Sequence, residues 1–104
     1  MYKEPTMLTP LTAAEALNAT AKSFTLAGID GLIRDARRRL AELDKFDAEF
    51  GERGQESRNK GRKAANENLE KGLKARELRI GFLSSESLAK ETTIADRITA
   101  ERAA

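Results

Sequence analysis

Residues 29–50, IDGLIRDARRRLAELDKFDAEF, and the stretch that follows at 51–61, GERGQESRNKG, decide the fold of this chain. In the first stretch Ile29, Ile33, Ala36, Leu40, Leu43 and Phe50 recur in alternating steps of four and three, with Asp47 filling the one polar gap. That period belongs to a helix with one apolar stripe, not to a strand, whose side chains alternate every second residue. Over about three heptads it reads as a coiled-coil-like seam. The opposite face is charged, from Arg37, Arg38 and Arg39 to Asp44, Lys45 and Glu49. The second stretch holds three glycines and no apolar residue, which predicts a polar central loop over 51–61. Asp30-Gly31 also fits a tight hairpin turn, but both flanks keep the helical period.

Working outward, Thr12-Ala13-Ala14-Glu15 has the spacing of a capping box and predicts a first helix over about 12–27. Gly28 reads as its stop and Asp30 as the cap of a second helix over 30–50. Beyond the loop, Leu69, Leu73, Ile80 and Leu83 line one face of a third helix over 62–83, with Arg76 interrupting the row. Gly72 either weakens that helix or lets a neighbour approach closely. Ser84 or Ser85 caps a last helix over 86–102. The expectation is an all-α chain with a single helical domain over 12–104, built as a helical hairpin or an extended coiled-coil-like pair. Residues 1–11 read as a flexible N-terminal arm, because Pro5 and Pro10 interrupt helix. The arm is apolar for a solvated tail, with Tyr2, Met7, Leu8 and Leu11.

Composition supports helix and limits the core. Valine is absent, aromatics number five, and Leu, Ile and Phe together number 21 of 104 residues. Much of the remaining apolar content is alanine, which favours helix but buries little area. A core this thin predicts helices that gain stability from copies of themselves or from another protein. The net charge of +2 is too small for the repulsion typical of disordered chains.

The chain has no histidine, cysteine or tryptophan. Disulfides and thiol chemistry are therefore excluded, and zinc loses its usual ligands. Only carboxylates such as Asp44, Asp47 and Glu49 remain to hold a cation, and they fit a solvated helix face as well. Without histidine, a serine nucleophile needs a lysine base. Ser87 and Lys90 have helical spacing for that, but so do many chance pairs. The glycines match neither dinucleotide nor P-loop patterns. No catalytic residue, metal or cofactor is expected, and no small-molecule substrate is evident. No stretch reaches the length of a membrane span, and Met1–Pro10 lacks the pattern of a secretory signal. The default setting is cytoplasmic or virion-like.

Two function classes remain. The first is a non-enzymatic structural or adaptor protein that assembles with itself or into a larger complex, as a virion or secretion-machine component would. Its helix-seam interface would use Ile33, Ala36, Leu40, Leu43, Phe50, Leu69, Leu73, Ile80 and Leu83. The second is a nucleic-acid-binding accessory protein. Arg53, Arg58, Lys60, Arg62 and Lys63 against Glu52 and Glu56 give the loop a local charge of +3, suited to phosphate contact. No aromatic side chain interleaves that run to stack on bases.

Overall fold

Helix capping sets the boundaries of the elements. The computed structural model describes residues 12–103, which form four helices and no strand. These are α1 (Ala13–Ser23), α2 (Leu26–Phe50), α3 (Gln55–Phe82) and α4 (Ser85–Ala103). The arm at 1–11 lies outside the described residues.

The capping box opens α1: Glu15 N–H donates to Thr12 Oγ1 at 3.1 Å, and Thr12 N–H donates to Glu15 Oε1 at 3.2 Å. The next boundary differs from the sequence expectation. α1 ends at Ser23, and α2 starts at Leu26 with Thr25 as its cap, accepting from Gly28 N–H at 3.2 Å. Gly28 therefore sits inside the first turn of α2 instead of stopping α1. Asp30 caps nothing; its carboxylate accepts from Arg76 Nε on α3 at 2.8 Å. Ser84 caps α4, accepting from Ser87 N–H at 3.2 Å.

The loop expected at 51–61 contracts to a four-residue turn, Gly51–Gly54. Gly51 (φ 59°) and Gly54 (φ 76°) take the positive φ that lets the chain reverse so tightly. The remaining residues of the stretch join α3. Glu, Gln, Arg and Lys are good helix formers, and Gln55 Nε2 donates to Asn59 Oδ1 at 2.9 Å one turn on. The third glycine, Gly61, lies inside α3, beneath the two Cδ atoms of Leu43.

α2 and α3 pack as an antiparallel hairpin. Asp47 meets Arg58, Leu43 covers Gly61, Ile33 covers Gly72 and Asp30 meets Arg76, so each step back along α2 is a step forward along α3. α1 lies along α3, and α4 packs on α2. The core is thin. Leu26, Ile29, Ile33 and Leu43 are buried with five alanines: Ala21, Ala36, Ala65, Ala75 and Ala95. Leu17 and Leu69 pack on the cluster of Ile29, Ile33 and Ala75. The helices spread into a plate of 53 × 50 × 17 Å. The radius of gyration is 18.0 Å, against about 13 Å for a compact chain of this size.

Candidate functional site

One ion pair joins all four helices. Arg79 of α3 and Glu91 of α4 form a two-pronged pair, Nη2 to Oε2 at 2.6 Å and Nε to Oε1 at 3.2 Å. Arg79 Nη1 also donates to the carbonyls of Ala21 and Lys22, at 3.2 and 3.0 Å, in the last turn of α1. Glu91 Oε1 accepts from Leu26 N–H, the first residue of α2, at 2.9 Å. A cation thus sits at a helix carboxyl end and a carboxylate at a helix amino end, where each helix dipole favours it. Both side chains are only 16% exposed. The hydrogen bond from Arg79 holds the Glu91 carboxyl below its ordinary range, against the opposing effect of burial. The hydrogen bond to Glu91 likewise raises Arg79 above its ordinary value. Both shifts reinforce the charged forms. The pair ties the ends of all four helices together.

A second cluster closes the hairpin turn. Arg58 donates to Asp47, to the carbonyl of Arg53 and to the carbonyl of Gly51. Arg62 reaches Asp47 and, at 3.2 Å, Asp44. The hydrogen bond from Arg58 is the largest influence lowering the Asp47 pKa below its ordinary value. The cluster changes the reading of the basic stretch. Arg58, only 10% exposed, and Arg62 are already neutralised by aspartates of α2. The local excess of +3 falls to +1 once Asp44 and Asp47 are counted. Arg53, Lys60 and Lys63 remain exposed, but Arg53 lies in the turn while the two lysines lie on α3. The neighbouring arginines are interleaved with acids too: Arg38 pairs with Asp35 and Arg39 with Glu42. Asp44 and Asp47 hold guanidinium groups, and no cluster of three potential metal ligands occurs among the described residues. Lys90 pairs with Glu86 at 3.5 Å on the exposed side of α4.

The seam residues divide between the two helices. On α2, Ile33, Ala36 and Leu43 are buried against α3, Leu40 is half-buried and Phe50 is 47% exposed. On α3, the face that meets α2 is not the row Leu69, Leu73, Ile80 and Leu83. It carries Gly61, Ala65, Gly72 and Ala75, with Leu69 half-buried at its margin. A Cβ built on Gly72 would lie 2.8 Å from Ile33 Cγ1, closer than carbon atoms pack. Large side chains of α2 therefore demand small ones on α3, which rotates the leucine row outward. Leu73 and Ile80 are 42% and 36% exposed, and Leu83 is half-buried just beyond the helix end.

The sequence reading missed the small-residue face, whose trace is Gly61, Ala65, Gly72 and Ala75 at steps of four, seven and three. The Arg79–Glu91 pair had no comparable signal, because the partners belong to different helices and resemble every other surface charge. Comparison with family models, curated proteins and solved structures finds no match.

Proposed function

We propose that this protein is a non-enzymatic helical scaffold or adaptor that assembles with protein, a second copy of itself included, through the outward row of α3. The observation that carries this reading is the two-faced character of α3. Gly61, Ala65, Gly72 and Ala75 are turned into the hairpin, while Leu69, Leu73, Arg76 and Ile80 keep the 4-3-4 spacing of a helix seam. Leu73 and Ile80 on that row stay open to solvent. The thin core and plate-like shape support the reading, since a chain that buries mostly alanine gains much from covering its remaining leucines. The nucleic-acid alternative loses two of its five cations, Arg58 and Arg62, to aspartates. Among the described residues no helix is long and apolar enough to cross a membrane.

The test is molar mass by light scattering over a range of protein and salt concentrations. The expected result is a discrete oligomer that holds as salt rises. Leu73→Asp with Ile80→Asp should reduce it to monomer while the far-ultraviolet helix signal is kept. An oligomer that falls apart steeply with salt would point to charge instead of an apolar seam. An oligomer unchanged by the two aspartates would remove the α3 row from the interface.

A further inference from the structure

The outward row of α3 runs between two edges of opposite charge. The edge beside α2 is set by two ion pairs, Asp30 with Arg76 and Asp44 with Arg62. Midway between them, seven residues from each, α2 carries Arg37 and α3 carries Leu69. Arg37 therefore stands at the level of Leu69 with an aliphatic neighbour where the other two levels pair an acid with an arginine. It is exposed and makes no ion pair among the described residues, whereas Arg38 and Arg39 pair with acids of their own helix. Arg76 gives Asp30 its Nε and stays 36% exposed, which leaves its Nη groups open to a second acid. The far edge of the row is acidic. Glu70 and Glu77 follow Leu69 and Arg76 by one residue, about 100° further round the helix, and both are exposed. Glu77 makes no ion pair among the described residues. Glu70 reaches Lys74 at 3.6 Å, with both side chains more than half exposed. Leu73 and Ile80 lie between the two edges, and α4 leaves Arg37, Leu73, Glu70 and Glu77 uncovered.

We propose that the partner on this row is a second copy of the chain, docked with its α3 parallel to the first about a two-fold axis that runs along the helices. The inference rests on the α3 row being the interface, and it adds the identity and direction of the partner. A two-fold along the helices keeps each residue at the level of its own counterpart and exchanges the two edges. Glu77 of one copy then faces Arg76 of the other, one residue apart in level. Glu70 of one copy faces Arg37 of the other with the same offset, because Arg37 stands at the level of Leu69. Both contacts occur twice, and Leu73 and Ile80 meet their own counterparts between them. A two-fold across the helices does the opposite. It leaves each edge on its own side, so glutamates meet glutamates and arginines meet arginines. The apolar row supplies the affinity and the charged edges choose the direction, which is the usual division of labour at an interface. Ion pairs at an exposed edge add little net stability, so the pair of copies still holds as salt rises.

Charge reversal tests the direction by the sign of its effect on the dimer dissociation constant, measured by light scattering over a dilution series. Arg37→Glu and Glu70→Arg, each alone, are expected to weaken the dimer about tenfold, since each spoils a contact made twice. Combined in one chain they should recover most of the loss. Tighter association in either single variant would overturn the parallel arrangement in favour of an antiparallel one, and no change in both would overturn it as well. Disulfide trapping gives an independent reading, because the chain has no cysteine of its own. Asn66→Cys and Ile80→Cys, in separate variants, lie about 21 Å apart along α3. Parallel copies link in both variants, whereas antiparallel copies link in at most one. Leu73→Asp with Ile80→Asp separates this inference from the reading it rests on. A dimer abolished by the two aspartates but tightened by charge reversal keeps the row and loses the direction. A dimer that survives them, or a wild-type chain that is monomeric, removes both.

Discussion

α2 and α3 build one interface from opposite materials. α2 contributes Ile29, Ile33 and Leu43, while α3 answers with Gly61, Ala65, Gly72 and Ala75. The large side chains of one helix fit only because the other offers little beyond backbone. Two conclusions follow for α3. Its internal face is made by what it lacks, and of the row that a periodicity search selects Leu73 and Ile80 lie open while Leu69 packs at the margin of the core. An apolar row on a helix marks a face that can be covered; it does not say by what.

The contrast is sharpest where Ile33 meets Gly72. Ile33→Ala removes most of one of four large buried side chains and is expected to cost about 3 kcal/mol, read from the urea midpoint. Gly72→Ala alone should destabilise, because the added methyl falls 2.8 Å from Ile33 Cγ1. In the Ile33→Ala background the same change should reverse sign and stabilise by about 1 kcal/mol, the helix preference of alanine over glycine. A Gly72→Ala change that destabilises equally in both backgrounds would show that the close approach to Ile33 is not what requires glycine.

The two ends of the hairpin differ in what their ion pairs hold. At the turn, Asp47 with Arg58 and Arg62 fastens neighbouring segments of one hairpin. At the far end, Arg79 and Glu91 bind the termini of α1 and α2, which the hairpin alone would not position. Glu91→Gln should therefore cost about 1–2 kcal/mol and loosen α1 and α4 before α2 and α3, as read by hydrogen exchange. The sign of the pH dependence follows from the lowered Glu91 pKa. Its contribution is complete above the ordinary carboxylate value near 4.5 and is lost as pH falls through the lower folded value. Acid unfolding of wild type should accordingly begin at about pH 4–5 and be less steep in Glu91→Gln. Identical acid slopes would mean that the carboxylate is not a principal source of acid sensitivity.

Period and capping made the helices readable in advance, and with them the burial of Ile33, Ala36 and Leu43 and the box at Thr12. The structure moved two boundaries for local reasons. Thr25 offered a cap two residues before the expected end of the first helix at 27, and Arg58 fastened a turn short enough to release 55–61 into α3. Which face of α3 turns inward was harder to read, because glycine and alanine score as weak apolar residues although they permit the closest packing. The Arg79–Glu91 pair was hidden for a different reason: long-range ion pairs leave no periodic trace. The basic stretch looked stronger in sequence than in space, since the aspartates that neutralise it lie on the preceding helix.

The smallest effect tests whether every glycine of α3 is there for closeness. Gly61 and Gly72 both face α2, yet their surroundings differ. A Cβ on Gly61 would meet the Leu43 Cδ atoms at 3.7 Å, an ordinary contact, and Arg39 Nη2 at 3.8 Å. Nothing has to move, so Gly61→Ala should gain part of the helix preference of alanine, about 0.5–1 kcal/mol. It also adds a little packing against Leu43. The measurement is the thermal midpoint of Gly61→Ala beside that of Gly72→Ala: the first is expected to rise and the second to fall. If both fall, the two helices are closer near the turn than their contact at Leu43 indicates. If both rise, α2 and α3 slide easily past each other, and the pairing of large with small residues does not fix their register.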